Sequence, residues 1–430
     1  MLLKGALVAR LYPAGVAKND LRIDGDTIIE RGIHLRPRSN ETVEDATGLL
    51  VLPGHVCAHT HAYSALSRGM PGPPRRPTSF PDMLRKIWWT LDEALDDEAI
   101  HYSALVAALD AVRTGTTTLV DHHSSPNAIA GSLDIIRGAF SSVGVRSVLC
   151  YEVTDRGGRA RRDAGLAEND RFLSASRTDT MARGLVGAHA SFTLSDLSLA
   201  AVGELAGFHQ VGVHIHAAEA REDVDLTAKR HCCSVVDRLA KHGALVPGSV
   251  LAHGVHLAPA EMRRVDAADA WLVHNPRSNM NNGVGRAAVE HFGACAALGT
   301  DGWPADMLEE ARMAHFGLRE RVGALAGDVA LRLLGGSQRL ASELFGLPFG
   351  VLEPGAPADL VVYDYPAPSP IDASTMMWHG LAGLHAGRIK HVMAAGRWIV
   401  RDGEVTTVDV EAVYARAARA AARLWVRMRG

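Results

Sequence analysis

Two histidines at the end of an apolar run are the residues of this sequence best suited to chemistry. His59 and His61 close segment 52–61 and are separated by one residue. In a β-strand alternate side chains point to the same face, so both imidazoles can reach one metal ion. Three further candidates each follow an apolar run of strand length: His216, His253 and Asp301. Imidazole and carboxylate groups suit Zn²⁺, with Fe²⁺ and Mn²⁺ as alternatives, so the pattern predicts a divalent metal site.

Glu219 is the residue whose position suits proton transfer. It lies three residues beyond His216, just outside the same predicted strand. Zn²⁺ lowers the pKa of a bound water to about 7, and a nearby carboxylate can take that proton and deliver it to a leaving nitrogen. A surface glutamate that opens the next helix would occupy the same position. Segment 185–190 contains no lysine, which a carbamylated bridge between two ions would need, so we expect a single ion.

The middle of the chain alternates near-continuous apolar strands with Ala-rich helical segments. Eight strands are predicted, at residues 52–61, 116–120, 145–153, 185–190, 211–216, 249–253, 271–274 and 294–299. This alternation is typical of an α/β fold whose parallel strands close into a (β/α)₈ TIM-like barrel. The carboxyl ends of barrel strands meet on one face. The predicted fold would therefore bring the candidate ligands together.

Both chain ends have a different pattern, with short strands separated by glycine-containing turns. We expect residues 1–50 and 350–410 to form one composite β-sandwich beside a catalytic barrel at 51–349. The Ala- and Arg-rich segment 411–430 predicts a C-terminal helix.

The composition is that of a soluble globular protein. Hydrophobic residues make up 47% of the 430 residues, charged residues 22%, and the net charge is -3. That charge gives no general attraction to nucleic acid or to an anionic membrane. No apolar run approaches the roughly 18 residues of a membrane helix, and the N-terminus lacks the pattern of a secretory signal. The five cysteines contain no CxxC pair, which favours the reducing cytoplasm, and we expect a homodimer or a larger homo-oligomer.

Several short motifs resemble those of the amidohydrolase superfamily. They are the HxH after Pro53-Gly54, the HxxE that ends at Glu219, and segments 252–257, 275–279 and 299–302. More narrowly, the chain resembles the mononuclear branch that holds guanine, 8-oxoguanine and S-adenosylhomocysteine deaminases and triazine chlorohydrolases. Within that branch, segments 57–70 and 121–123 are most similar to the aminohydrolases associated with selenium metabolism.

The resemblance implies a role for each candidate residue. The metal ligands would be His59, His61, His216 and Asp301. Glu219 would shuttle the proton, and Asp301 would accept the first proton of the water. His253 would orient the water and stabilise the tetrahedral intermediate, and would bind the metal only loosely if at all. The implied enzyme is a metal-dependent hydrolytic deaminase that converts an aminated N-heterocycle or cyclic amidine to its oxo product and ammonia.

Other functions use the same residues. Hydrolysis of a ring amide or displacement of chloride are the enzymatic alternatives, and a metal-free scaffold protein is the non-enzymatic one. Glu219 favours a leaving group that must be protonated, hence nitrogen over chloride.

A small heterocyclic substrate also needs binding residues. The candidates are His189, Trp88, His122, His123 and Asn279. His189 matches a substrate-binding position of the resembled family, and Trp88 could stack on a flat ring. Core packing, helix packing or a loop position would explain each of them equally well. The arginines of segment 156–162 form either a solvated loop or a clamp for an anionic substrate.

Overall fold

The computed structural model describes residues 1–429 of the chain. The strands, in chain order, are β1 (Leu2–Arg10), β2 (Gly15–Asp24), β3 (Thr27–Gly32), β4 (Val43–Asp45), β5 (Leu50–Pro53), β6 (His55–Thr60), β7 (Thr116–His123), β8 (Arg146–Tyr151), β9 (Ala182–Gly184), β10 (Val186–Ala190), β11 (Val213–Ala217), β12 (Val250–His253), β13 (Trp271–His274), β14 (Ala296–Leu298), β15 (Leu360–Tyr363), β16 (Ile389–Ala394), β17 (Arg397–Arg401) and β18 (Glu404–Val405).

The α-helices are α1 (Phe80–Met83), α2 (Trp89–Glu93), α3 (Asp97–Arg113), α4 (Ser132–Val143), α5 (Gly158–Ser176), α6 (Asp196–His209), α7 (Arg221–His231), α8 (Val235–Lys241), α9 (Pro259–Ala267), α10 (Pro276–Asn282), α11 (Met307–Val322), α12 (Val329–Phe345), α13 (Met376–Trp378) and α14 (Val410–Arg427). The last residue of the predicted helix 411–430 lies outside the described residues. Within residues 1–429, no helix is both long enough and apolar enough to cross a membrane.

The middle of the chain forms the predicted barrel. Its strands are parallel and fall into two runs, β6-β7-β8-β9 and β10-β11-β12-β13-β14. Backbone hydrogen bonds join the two runs at both seams. At one seam Val153 N donates to Gly187 O at 3.1 Å, and at the other Thr300 N donates to His59 O at 2.8 Å. The predicted α/β fold with a TIM-like barrel is therefore confirmed, with β9 as an additional short strand beside β8.

Strands from both chain ends form a second sheet beside the barrel. Its order is β18-β17-β16-β15-β5-β1-β2-β3, with β4 paired to β1. Strand β15 pairs antiparallel with β5, so the two ends of the chain meet in the middle of the sheet. The sheet has an apolar core of its own, which includes Leu3, Leu21, Ile28, Val51 and Leu360. The predicted β unit from both chain ends is thus present. We propose 1–50 with 350–410, 51–349 and 411–430 as the domain boundaries, with residues 51–53 at the end of β5 still paired within the terminal sheet.

Gly54 is the residue at which the chain passes from this sheet into the barrel. Strand β5 ends at Pro53 and β6 begins at His55. A Cβ at Gly54 would lie only 2.4 Å from Oγ1 of Thr117 in β7, so the close approach of the chain to β7 at this point requires glycine. The tight passage divides the predicted strand 52–61 in two.

Candidate active site

Four predicted ligands come together at the carboxyl ends of barrel strands. They come from β6, from the residue after β6, from β11 and from the segment after β14: His59, His61, His216 and Asp301. One ligand atom from each residue lies within 4.8 Å of all the others. His61 Nε2 lies 3.0 Å from His216 Nε2 and 3.0 Å from Asp301 Oδ1. The barrel therefore gathers three imidazoles and a carboxylate around one point.

Backbone carbonyls orient two of the imidazoles. His61 Nδ1 donates to His122 O at 2.6 Å, and His216 Nδ1 donates to His189 O at 2.8 Å. Each bond places a proton on Nδ1 and leaves the Nε2 lone pair directed at the shared point. This support of a ligand by its outer neighbour is typical of metal-binding histidines.

His59 provides the clearest test of whether a metal fits. Its Nδ1 lies 2.8 Å from His214 Nε2, while its own Nε2 is buried and has no hydrogen-bond partner. Burial lowers the pKa of His59 to about 3, so the ring is neutral and able to ligate. A buried nitrogen lone pair without a partner is costly, and a cation would satisfy it. The residues present therefore fit a divalent ion.

The candidate proton-transfer groups lie beside the ligands. One atom each of Glu219, His253 and Asp301 lies within 4.8 Å of the other two. His253 Nε2 is 3.7 Å from Glu219 Oε2, and Asn282 Nδ2 donates to Glu219 Oε1 at 3.4 Å. Burial raises the pKa of Glu219 to about 7. A carboxyl group with such a pKa can both accept and return a proton near neutral pH.

Two of these residues have unusual backbone conformations. His253 has a φ of 76° and Asp301 a φ of 54°, the left-handed region that residues other than glycine rarely occupy. Both lie where a barrel strand turns into its loop. Such conformations persist only where the surrounding structure holds them, and they concentrate at functional sites.

A cavity of about 440 Å³ opens over this group of residues. Predicted residues Trp88 and His189 line it, and His189 Nδ1 lies 2.8 Å from Thr193 Oγ1. Apolar and aromatic side chains form much of the wall: Phe80, Leu84, Trp89 and Trp303. Because several aromatic rings line the cavity, it suits a flat ring.

Three predicted substrate-binding residues do not line this cavity. His122 Nε2 lies 3.0 Å from the Ala188 carbonyl oxygen, and His123 Nε2 lies 2.9 Å from Ser125 Oγ. Both rings are fully buried at the end of β7, where these contacts hold them away from the open space. Asn279 is buried behind His253 and accepts a hydrogen bond from that ring. Strand-end position alone therefore did not determine which side chains face the substrate.

Several cavity residues were not among the sequence candidates. Glu152 directly follows β8, so the rule that selected His59 and His216 would also have selected it. Ser278 lies in segment 275–279 and donates a hydrogen bond to Asp301 Oδ2. Asp92 lies within α2 and Trp303 in a loop, where the sequence pattern gives no signal.

The arginine segment does not form the clamp for an anion. Arg156 Nη2 donates to Glu152 Oε1 at 2.8 Å and to Asp92 Oδ2 at 3.0 Å. Burial opposes ionisation of Glu152, but the surrounding positive charges outweigh it and lower its pKa to about 2. Arg161 bonds to Asn127 at the surface. The charge of Arg156 is thus already balanced by the carboxylates of Glu152 and Asp92.

The match to a family model defines the class of protein. Residues 50–399 match the amidohydrolase family. The chain belongs to the amidohydrolase family, and the resemblance of its motifs to the amidohydrolase superfamily is confirmed.

Curated relatives extend this match over nearly the whole chain. A 5'-deoxyadenosine deaminase of Methanobrevibacter smithii is 28% identical over 439 residues, covering 98% of this chain and 97% of the relative. A 5-methylthioadenosine/S-adenosylhomocysteine deaminase of Thermococcus sibiricus is 27% identical and covers 93% of this chain and 94% of the relative. The predicted class of enzyme, a hydrolase of non-peptide C–N bonds, is confirmed by the family and by these names.

Solved structures share the fold. An adenosine deaminase from Xanthomonas campestris with bound zinc has a TM-score of 0.85 at 22% identity and covers 98% of both chains. An atrazine chlorohydrolase from Arthrobacter aurescens, complexed with zinc, has a TM-score of 0.82 at 21% identity and covers 98% of this chain and 99% of its own. A guanine deaminase from C. acetobutylicum has a TM-score of 0.78 at 14% identity, with 92% and 99% covered. At these identities the likeness shows the architecture.

Proposed function

We propose that this chain is a metal-dependent hydrolytic deaminase of an aminated N-heterocycle or cyclic amidine, which it converts to the oxo compound and ammonia. The names of the curated relatives, which are deaminases of adenosine derivatives, support this class of reaction. The cavity supports it as well, because aromatic side chains such as Trp88 and Trp303 suit a flat ring.

The position of Glu219 is the observation that carries the proposal. Glu219 lines the cavity together with the ligands His216 and Asp301, and its Oε2 lies 3.7 Å from His253 Nε2. An exocyclic amine leaves readily only after protonation, and Glu219 is placed to give it a proton. Chloride needs no proton to leave, so the same position argues for nitrogen as the leaving group.

The remaining groups have complementary roles. A bound divalent ion would supply Lewis acidity and lower the pKa of water. His59, His61, His216 and Asp301 would hold that ion, and three imidazoles with one carboxylate favour zinc over Fe²⁺ or Mn²⁺. His253 faces the same point through Nε2. With a proton on both ring nitrogens it would donate from Nε2 and stabilise negative charge on the oxygen that develops at the reacting carbon.

A panel assay tests the proposal. Zinc-loaded protein is mixed separately with 5'-deoxyadenosine, 5-methylthioadenosine, guanine, aminopterins, aminotriazines, chlorotriazines and cyclic guanidines, and ammonia and chloride are both measured. We expect ammonia from at least one aminated ring, and its loss in Glu219→Gln. Release of chloride alone, or ring opening without ammonia, would contradict the proposal.

Two broader expectations accompany this function. We propose a cytoplasmic protein, supported by five cysteines that are all free thiols in the described residues. We also propose a homodimer or larger homo-oligomer, for which the mass in solution, measured by light scattering, is the direct test.

A further inference from the structure

Two carboxylates on the cavity wall form a charged group separate from the candidate ligands. We call Asp92 and Glu152 the acid pair. Arg156 Nη2 donates to both of them, at 3.0 Å to Asp92 Oδ2 and at 2.8 Å to Glu152 Oε1. Asp92 and Glu152 are only 2% and 3% exposed. Two buried carboxylates therefore share one guanidinium.

Asp92 has capacity for another hydrogen-bond donor. Ser124 Oγ donates to Asp92 Oδ2 at 3.0 Å, but Asp92 Oδ1 is buried without a hydrogen-bond partner. Burial raises the pKa of Asp92 to about 7, in keeping with the cost of an incompletely paired charge there. Buried carboxylate oxygens are normally satisfied, so this one points to a donor that comes from a ligand.

The protein supplies no further fixed cation to the acid pair. Arg277, which lines the cavity, pairs with Glu309 at 2.7 Å, and Arg68 pairs with Asp110 at 2.5 Å. Among the described residues, no lysine or arginine on the cavity wall is free to balance the acid pair.

Glu152, one member of the acid pair, lies close to a candidate ligand. One atom each of Glu152, His122 and His216 lies within 4.8 Å of the other two. A substrate group that contacts Glu152 is therefore about one ring away from a carbon held at the ligand set. The charge that balances the acid pair would belong to the reacting heterocycle itself and not to a distant side arm.

We propose that the acid pair binds a cationic amidinium or guanidinium edge of the substrate ring, so that the enzyme selects basic aminated heterocycles over neutral ones. This inference rests on the proposed function, because it assigns the charge of the substrate in the same cavity. A planar amidinium presents two N–H donors side by side, which suits Asp92 Oδ1 and Glu152 together. Arg156 already lies over the Trp89 ring, 4.6 Å from its centroid, so Trp88 on the same cavity wall would contact a flat face of such a cation.

A pair of flat probes of equal shape tests the charge preference without turnover. Binding of benzamidine, a cation, and benzamide, its neutral counterpart, is measured calorimetrically on the zinc-loaded protein. We expect benzamidine to bind roughly 10- to 100-fold more tightly than benzamide, the usual range for a hydrogen bond to a charged group. Equal affinities, or tighter binding of benzamide, would overturn the inference.

Three variants locate the source of any preference. Glu152→Gln and Asp92→Asn keep the side-chain shapes and should each remove most of the preference for benzamidine while changing benzamide affinity little. Glu93→Gln is the matched control, because Glu93 adjoins Asp92 in sequence but its side chain is 57% exposed and pairs with Arg161. A preference that survives in both acid-pair variants would also overturn the inference. The wild-type comparison decides it if a variant fails to fold.

The binding assay and the ammonia assay fail independently. Preferential binding of benzamidine with no ammonia from any compound of the panel would contradict the proposed function and leave the acid pair as a cation site. Ammonia release from neutral rings without a preference for benzamidine would contradict the acid-pair inference alone.

Discussion

Asn279 fixes the orientation of His253. The side-chain oxygen of Asn279 accepts a hydrogen bond from His253 Nδ1 at 2.8 Å, while His253 Nε2 faces Glu219. Asn279→Ala frees the imidazole to rotate, so we expect kcat to fall by roughly 10- to 100-fold, the usual cost of removing such an outer partner. KM and zinc content should change little, because Asn279 does not line the cavity. Steady-state kinetics measure kcat and KM, and elemental analysis measures the zinc content. An unchanged kcat would show that Asn279 does not position this ring.

Glu219 separates chemistry from metal binding. Glu219→Gln preserves the shape of the side chain and removes only its ability to transfer protons, so zinc content should stay at the wild-type value. We expect kcat to fall by roughly 10²- to 10⁴-fold. Glu204→Gln, an exposed change on α6, is the control and should keep full activity. A Glu219→Gln enzyme with near-normal kcat would remove Glu219 from the mechanism.

The ligand set predicts one tightly held divalent ion per chain. Chelation should abolish activity, and Zn²⁺ should restore it. His59→Ala should lower zinc content and activity together, because His59 Nε2 is buried among the ligands and has no hydrogen-bond partner among the described residues. Inductively coupled plasma mass spectrometry gives the number of zinc ions per chain. Two tightly bound ions per chain, or full activity without any, would contradict the proposed site.

A buried ion pair joins the barrel to the terminal sheet. Arg146 Nε lies 3.2 Å from Asp359 Oδ2, and both residues are more than nine-tenths buried. Asp359→Ala leaves the Arg146 charge unpaired, so we expect the free energy of unfolding to fall by about 3–5 kcal/mol. Glu98→Ala, which breaks an exposed pair with Arg423, should have a much smaller effect. Urea denaturation compares the two. Equal losses of unfolding free energy in the two variants would show that the buried pair does not stabilise the protein more than an exposed pair does.

The sequence predicts the barrel and its ligands well because both follow from local patterns. Apolar runs define the strands, and histidine or aspartate at the end of a run defines residues such as His59 and Asp301. Eight parallel strands can then close in few ways, and the carboxyl ends converge on one face. The ligands are recognisable because histidine and aspartate are uncommon at the end of a buried apolar strand.

Which residues line the cavity depends on the direction in which each side chain points, and the sequence pattern does not contain that information. His122 and His123 end β7 as His216 nearly ends β11, but hydrogen bonds to Ala188 and Ser125 hold their rings away from the cavity. Asp92 reaches the wall from a short helix, through packing between segments distant in sequence. Contacts of this kind depend on the assembled structure.

Isotope incorporation tests the central claim most directly. Zinc-loaded enzyme is incubated in ¹⁸O-water with an aminated substrate that the panel has identified, and product and ammonia are quantified together. Hydrolytic deamination predicts one ¹⁸O atom at the former amino carbon, an intact ring and one ammonia per product. A ring-opened product without free ammonia, or a product whose oxygen does not come from water, would contradict the account.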